Sequence, residues 1–368
     1  MDNMFKTKDT PILVAGPCSV ESREGLQKVT AALLAAPKGQ RPLLIRGGVW
    51  KPRTRPGGFE GMGEQALRWM SDIRKELTSA RFCCEVAQPE HVELCLRYGI
   101  DAVWIGSRTT CNPFSVGEIC RALEGTGLAV MVKNPLTPDV NLWLGAIERV
   151  QQTGITDIAA VHRGFFTYNY MGYRNTPLWE VPIELKRQLP DMPLLCDPSH
   201  IGGDRTLLSQ LMQTALDLRF DGLMVEVHPN PAQALTDAAQ QLTPNELFAM
   251  LSTLHSRHDN ATPDTLKLIR QQIDAIDAQL IRLLGERLDV ARRIADVKSE
   301  NNLSVFQPKR WEEVLQRKLQ IAADAGIDPQ FIKGVYEKIH AESIRVQLDM
   351  PPKETASAPT PADNTYGD

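Results

Sequence analysis

Eight short apolar segments in the first two-thirds of the 368-residue chain limit its fold more than any other feature. Each is five to seven residues long, as expected for a buried strand. Segments with helical spacing, such as residues 65–77 and 90–98, separate most of them. Buried strands that alternate with helices form parallel sheets, and eight such units in about 250 residues fit a closed barrel better than an open sheet. The segments are ILVAG, LLIRG, FCCEVA, AVWIG, AVMVK, IAAVHRG, PLLCD and GLMVEVH. We therefore predict a (β/α)8 TIM barrel, an α/β fold, over residues 1–255.

Polar residues stand at or just beyond the C-terminal ends of these segments. In a parallel barrel all these ends lie on one face, which is where barrel enzymes place their chemistry. A single arginine at a strand end is more often a solvated rim residue than a ligand, but eight polar ends together favour a functional site. The eight residues are Cys18, Arg46, Glu85, Arg108, Lys133, Arg163, His200 and Glu226.

The composition changes at residues 256–263, which we interpret as a linker. Beyond it, apolar residues step by three and four from Ile269 to Leu283, the spacing of an amphipathic helix. No helix breaker follows until about Asn301, so this helix would be roughly 50 Å long.

Two more helical segments are predicted at about residues 308–323 and 329–348. With the long helix they would form an all-α domain over residues 264–350. The remaining residues, 351–368, are too polar and too rich in proline to fold, so we predict a disordered tail.

Charge and hydropathy argue against two classes of partner. A net charge of −4 creates no general attraction to nucleic acid or to anionic lipid. The longest apolar stretches have the length of strands, and the first residues lack an apolar signal segment. Seven cysteines without a CxxC pair argue against a disulfide framework. We expect a cytoplasmic protein that binds neither nucleic acid nor membrane.

Four residues of the barrel segment could hold a metal ion together. One thiolate, one imidazole and two carboxylates suit a divalent ion such as Mn, Fe, Co or Zn. Taken singly, each residue has an ordinary explanation as a core thiol, a packed imidazole, a capping acid or a surface acid. The four are Cys18, His200, Glu226 and Asp237.

A cationic segment, RGGVWKPRTRPGG, follows the second apolar segment. So many cations around one cavity would repel each other unless a polyanion filled it, and guanidinium groups match phosphate and carboxylate well. The sequence therefore predicts substrates that carry phosphate. The cations are Arg46, Lys51, Arg53 and Arg55 in this segment, with Arg108, Lys133 and Arg163 from later strand ends.

Seven motifs of the first domain resemble those of 3-deoxy-D-arabino-heptulosonate 7-phosphate (DAHP) synthases. They are AGPCS, RGGVWKPRTRP, IGSRTT, VMVKNP, HRGF, CDPSH and VEVHPNP with ALTDAAQQL, in the same order and over almost the whole domain. The resemblance is to the compact bacterial class, which is related to 3-deoxy-octulosonate 8-phosphate (KDO8P) synthases. KPRT is the most specific element, because it resembles the erythrose 4-phosphate signature. A KDO8P synthase, which uses arabinose 5-phosphate, is the alternative.

This resemblance implies a role for each barrel site residue. It implies metal ligation by Cys18, His200, Glu226 and Asp237. It implies that Arg46 and Lys51 hold the carboxylate of phosphoenolpyruvate, that Arg108, Lys133 and Arg163 hold its phosphate, and that Arg53 and Thr54 hold the phosphate of erythrose 4-phosphate. Lys51 is also placed to donate a proton, and Glu85 is a candidate for activating the attacking water.

Two features of the first domain depart from these relatives. His162 stands ahead of Arg163, where relatives often have an acid. The extra N-terminal regulatory domain of some relatives is expected to be absent, because Pro11 already begins the first strand. We therefore expect any regulation to come from elsewhere.

Two cations of the long helix lie on its apolar stripe. Arg287 follows Leu280 by seven residues, and Lys298 lies about three turns further on the same face. Unpaired buried cations are costly, so this pair invites an anion, although long side chains can also reach solvent. Arg270 lies on another face, so only a partner chain could bring it to the same ligand. We therefore predict an interlocked homodimer.

The second domain resembles the all-helical chorismate mutases over residues 264–349, through LIRQQIDAIDAQLIRLLGERLDVARRIADVK, FQPKRWEEVL and ESIRVQ. The resemblance implies a dicarboxylate site in which Lys298 and Gln347 hydrogen-bond the ether oxygen as chorismate rearranges to prephenate. Gln307 and Trp311 depart from it, because relatives commonly have carboxylates there, and Glu312 is one step away. The implied site uses Arg270 of one chain with Arg287, Lys298, Arg310, Ser343 and Gln347 of the other.

Together the resemblances imply a bifunctional enzyme of aromatic amino-acid biosynthesis. We also hypothesise that prephenate, bound in the helical domain, inhibits the barrel reaction, and such coupling would act in both directions. The alternative is that the helical domain senses chorismate or prephenate without turning it over.

Overall fold

The computed structural model describes residues 4–6, 11–37, 39–51, 57–168, 172–255 and 264–349. The predicted linker and the predicted tail lie outside these residues, as do Arg53, Thr54 and Arg55. Contacts between residues divide the chain into two units, Met1–His258 and Asp259–Asp368. No helix in the described parts of the chain is long and apolar enough to cross a membrane.

All eight apolar segments form parallel strands, each paired with the next, and β8 closes the barrel on β1. The predicted fold class is confirmed. Glycine permits one close approach, because a Cβ on Gly16 would lie 2.1 Å from the carbonyl oxygen of Arg46. The strands are β1 Ile12–Gly16, β2 Leu44–Arg46, β3 Phe82–Val86, β4 Ala102–Ile105, β5 Ala129–Lys133, β6 Ile158–His162, β7 Leu194–Cys196 and β8 Gly222–Glu226.

Ten α-helices surround the strands in the described part of the first unit, and several begin at the residues that capping rules favour. Asn112 accepts the backbone N–H of Phe114, and Thr243 forms a capping box with Glu246. The helices are α1 Arg23–Leu34, α2 Glu64–Glu76, α3 Pro89–Arg97, α4 Ser107–Thr110, α5 Pro113–Leu123, α6 Val140–Gln152, α7 Glu180–Gln188, α8 Pro198–Gly202, α9 Leu208–Asp217 and α10 Pro244–Thr253.

The second unit contains three helices in its described part, as predicted: α11 Asp264–Glu300, α12 Pro308–Asp324 and α13 Pro329–Leu348. Helix α13 packs against both α11 and α12. Every residue from 266 to 286 of α11 is exposed, including the apolar stripe, on which Ile276 is 55% exposed. An apolar stripe of this length is unusual on the surface of a monomer.

Candidate active sites

Three of the four predicted metal ligands lie together at the C-terminal face of the barrel. The Sγ of Cys18 and one carboxylate oxygen each of Glu226 and Asp237 lie within 4.8 Å of one another. Cys18 follows β1, Glu226 ends β8, and Asp237 lies in the loop beyond it. His200 is outside this group but beside it, with its Nε2 3.6 Å from Oε1 of Glu226.

Asp197 prepares His200 to act as a ligand. Asp197 follows β7 and caps α8, because its side chain accepts the backbone N–H of His200. Its Oδ2 lies 2.7 Å from Nδ1 of the His200 ring. A carboxylate can only accept, so Nδ1 carries the proton and Nε2 keeps its lone pair. Burial lowers the pKa of His200 despite the nearby carboxylates, which keeps the ring neutral.

The donor set fits a divalent metal ion. Oε1 of Glu226 accepts no hydrogen bond from the described residues, although Arg46 Nη2 lies 3.0 Å away as an ion-pair partner. Burial and the charge of Glu226 raise the pKa of the Cys18 thiol to about 12, so the thiol keeps its proton at neutral pH until a cation displaces it. A thiolate, a neutral imidazole and two carboxylates are ligands for an ion of intermediate hardness.

A cavity of about 650 Å³ opens beside these donors. Glu85 and Asp237 are the acids among its described lining residues, so the cations outnumber them. Burial lowers the pKa of Arg163 to about 10, which leaves its guanidinium charged at neutral pH. The cavity therefore suits an anion with several charges. Its cations are Lys51, Arg108, Lys133, Arg163 and Arg174.

Lys51 joins the cavity to the metal donors. Its Nζ donates to Sγ of Cys18 and to the carbonyl oxygen of Cys18, both at 3.0 Å. Burial lowers the pKa of Lys51, but the neighbouring Cys18 and Glu226 outweigh this effect and raise it. Lys51 is therefore a charged ammonium group at neutral pH and carries the proton that a general acid needs.

Arg46 and Glu85 occupy different surroundings. Arg46 is buried, does not line the cavity, and lies against Trp104 and Glu226, so its contact with a substrate carboxylate stays a prediction. Glu85 lines the cavity and accepts a hydrogen bond from Trp104 Nε1 at 3.0 Å. Gly106 makes room for it, because a Cβ there would lie 2.1 Å from Oε1 of Glu85.

Four of the predicted helical-site residues come together between α11 and α13. Arg287 donates to Oγ of Ser343, and Lys298 donates to Oε1 of Gln347 at 3.3 Å. Arg310 lines a cavity of about 590 Å³ with Arg287.

Arg270 is exposed and does not join this cluster within the protomer. It lies 17 residues before Arg287 on one helix, which corresponds to about 25 Å along the axis. A single protomer therefore presents an incomplete version of the predicted site.

Residues 2–261 match the family model described as the DAHP synthetase I family. The chain belongs to this family. Residues 269–348 match a second model, chorismate mutase type II. Both resemblances and the prediction of two enzyme domains are confirmed: a DAHP synthase barrel is joined to a chorismate mutase domain. Enzymes of this barrel family are generally metal-dependent.

Individual relatives agree with the family models. The chain is similar to phospho-2-dehydro-3-deoxyheptonate aldolase of Thermotoga maritima, with 33% identity over 242 residues that cover 65% of this chain and 67% of that protein. A crystal structure of the DAHP synthase of Thermotoga maritima superposes with a TM-score of 0.57 and 29% identity, covering 66% of this chain and 68% of that chain. The second domain is similar to 4-amino-4-deoxychorismate mutase of Streptomyces pristinaespiralis, with 35% identity over 101 residues, 27% of this chain and 78% of that protein.

Four polar residues of the DAHP synthase site were missed from the sequence. Asp197 stands three residues before His200, a spacing that could have indicated a pair, whereas the other three carry no local pattern. Asn175 accepts from Arg163 Nη1 and donates to the carbonyl oxygen of His200, both at 2.6 Å. The four are Arg174, Asn175, Asp197 and Gln240.

Two of the residues that depart from the relatives, His162 and Trp311, pack against other rings in the structure. His162 is fully buried among aromatic rings, and burial lowers its pKa to about 3. Trp311 stacks on His340 with ring centroids 3.9 Å apart, Gln307 precedes α12 and is exposed, and Glu312 accepts from Gln316. The rings around His162 are those of Trp143, Phe165, Trp179 and Phe220.

Proposed function

We propose that the barrel condenses phosphoenolpyruvate with erythrose 4-phosphate in a metal-dependent reaction that releases phosphate and forms DAHP. One observation carries the proposal: thiol and carboxylate donors lie beside a cavity that five cations line. Both substrates are phosphate esters, and one adds a carboxylate, so their charges complement the cavity. The family implies the same substrates.

Lys51 is the proton donor in this proposal. Its ammonium group lies next to the metal donors and can protonate the aldehyde oxygen as the carbon–carbon bond forms. Lys133 and Arg163 would hold the phosphate of phosphoenolpyruvate with Arg108, while Glu85 would accept a proton from the water that adds at C2. A bound divalent ion would supply Lewis-acid polarisation of the aldehyde.

Consumption of phosphoenolpyruvate by the full chain tests this proposal. The chain would be loaded in turn with Mn, Fe, Co or Zn and given erythrose 4-phosphate or arabinose 5-phosphate, with an EDTA-treated sample as control. We expect turnover only with metal and erythrose 4-phosphate. Preference for arabinose 5-phosphate would favour KDO8P synthase and contradict our interpretation of KPRT, and activity in EDTA would contradict the metal site.

We propose that the helical domain rearranges chorismate to prephenate. The reaction needs no nucleophile, so the protein has to hold the compact conformer and donate hydrogen bonds as charge develops on the ether oxygen. Arg287, Lys298, Ser343 and Gln347 supply such donors in one cluster. The domain bounds, 264–350 after a linker at 256–263, and a cytoplasmic location remain predictions.

A homodimer through α11 is part of this proposal. A second chain packed on α11 would bury the exposed apolar stripe of residues 266–286. Only from a second chain could Arg270 reach the cluster formed by Arg287, Lys298, Ser343 and Gln347. Mixing two inactive variants tests the arrangement. In a mixed dimer of Arg270→Ala and Lys298→Met chains, one of the two sites keeps both residues. Random exchange would therefore restore about a quarter of the wild-type turnover.

If chorismate turnover does not return after subunit exchange has been verified, the site shared between two chains is contradicted. If the wild-type chain binds chorismate or prephenate but does not convert chorismate, the helical domain is a sensor instead of an enzyme.

We further propose that prephenate inhibits the barrel through the helical domain. An unchanged synthase rate with saturating prephenate would contradict this regulation.

A further inference from the structure

Arg174 lies in the cavity wall, and the proposed reaction assigns no particular substrate group to it. Its Nη1 donates to Oδ1 of Asp237 at 2.9 Å and to Oε1 of Gln240 at 2.6 Å. Gln240 is buried, and its Nε2 donates to Oε2 of Glu226 at 2.6 Å. One guanidinium group therefore holds two carboxylates, Asp237 directly and Glu226 through an amide.

The chemistry of the partners determines how Gln240 is oriented. Only its oxygen can face a guanidinium group, which has no acceptor, and only its NH2 can face a carboxylate, which has no donor. Both polar ends of the buried amide are thus satisfied in one orientation. Gln240 is buried and is not among the residues that line the cavity, so its side chain acts on Arg174 and Glu226.

We call the chain of hydrogen bonds from Arg174 to Asp237, and through Gln240 to Glu226, the relay. The second oxygen of each carboxylate is not bonded within the relay and faces the predicted metal ligands Cys18 and His200. Oδ2 of Asp237 lies 3.2 Å from Sγ of Cys18. Oε1 of Glu226 lies 3.6 Å from Nε2 of His200 and 3.0 Å from Nη2 of Arg46. The relay bonds therefore use Oδ1 and Oε2, while Oδ2 and Oε1 face the side where a cation would bind.

We infer that Arg174 and Gln240 are positioning residues that set the two carboxylates for a divalent cation. The inference rests on the metal site of the proposed function. Groups behind metal ligands fix their orientation, and their loss typically lowers metal affinity about 10- to 100-fold. Arg174 is itself a cation, so removing a mere bystander would reduce repulsion and tighten metal binding. If Arg174 positions the carboxylates, its removal weakens metal binding instead.

Titration of the full chain with Co(II) tests the relay. The absorbance of thiolate-to-cobalt charge transfer at Cys18 reports binding without any need for turnover. Gln240→Met breaks the link to Glu226 without changing charge, and Arg174→Met breaks both links. Arg205→Gln is the matched control, because its side chain is 43% exposed, against 45% for Arg174, and lies 3.8 Å from Glu246 on the barrel.

We expect both relay variants to bind Co(II) about 10- to 100-fold more weakly, and the control to bind like the wild type. Circular dichroism would verify that each variant is folded, and half-exposed Arg174 provides a variant with little core disturbance. Unchanged or tighter binding in either relay variant overturns the relay alone. Failure of the wild-type chain to bind Co(II) overturns the proposed metal site and the relay with it.

Discussion

Replacement of Asp197 by Asn removes a buried negative charge that lies beside Lys133, His200 and Arg46. Oδ2 of Asp197 lies 2.7 Å from Nζ of Lys133, 2.7 Å from Nδ1 of His200 and 4.0 Å from Nη1 of Arg46. Burial alone would raise the pKa of Asp197, but His200 and Lys133 hold it well below its ordinary value, so the carboxylate is charged.

The size of the effect follows from these distances. With an effective dielectric constant of 20, two unit charges 2.7 Å apart attract by about 6 kcal/mol, and desolvation offsets part of this. Removing one partner of a buried ion pair costs about 3–5 kcal/mol. For a barrel of this size we therefore expect the melting temperature to fall by about 6–20 °C.

Calorimetric unfolding of the full chain in EDTA measures this loss, because EDTA removes any stabilisation by bound metal. Asp221→Asn is the control: its carboxylate also lies 2.7 Å from an ammonium group, that of Lys186, but is 39% exposed. An exposed pair contributes about 0–1 kcal/mol. If the barrel transitions of the two variants lie within about 2 °C of each other, the argument from buried charge is wrong.

Three further predictions concern separate parts of the chain. The pKa of His162 is about 3 against an ordinary 6.5, so the neutral ring stabilises the fold fully above pH 6.5, and this stabilisation is lost as the pH falls towards 3. The His162→Phe variant has no such group and should unfold at a lower pH than the wild type. An unchanged midpoint of acid unfolding would contradict this. Lys298→Met should lower chorismate turnover about 100-fold or more and leave phosphoenolpyruvate consumption within about twofold, whereas equal losses in both assays would refute separate sites. Ile276→Glu should convert a dimer to a monomer in sedimentation experiments while Arg282→Gln does not, and an unchanged mass would argue against pairing through α11.

The barrel could be predicted from the sequence because the apolar pattern that identifies each strand lies within a few consecutive residues. Each buried strand is a short apolar run, and each was found within one or two residues of its observed bounds, as for Ile12–Gly16 and Ala129–Lys133. Parallel closure then brings all strand ends to one face, so Lys133 and Glu226 could be assigned to a common site before their distance was known.

The contacts that shape the site could not be predicted in this way. Arg174 and Gln240 are 66 residues apart, and Lys133 and Asp197 are 64 apart. Such pairs depend on how far the loops project and on which rotamer the packing allows. No periodic pattern in the sequence encodes either quantity.

The sequence by itself therefore determined the strand order, the helical second domain and the kinds of chemical group at the barrel face. Only the tertiary structure decided which nitrogen of His200 keeps a lone pair and which oxygens of Glu226 and Asp237 are already bonded. It also decided that Arg46 is buried against Trp104 and Glu226. Hydropathy and spacing depend on a residue and its close neighbours, whereas hydrogen-bond partners depend on the closure of the whole barrel.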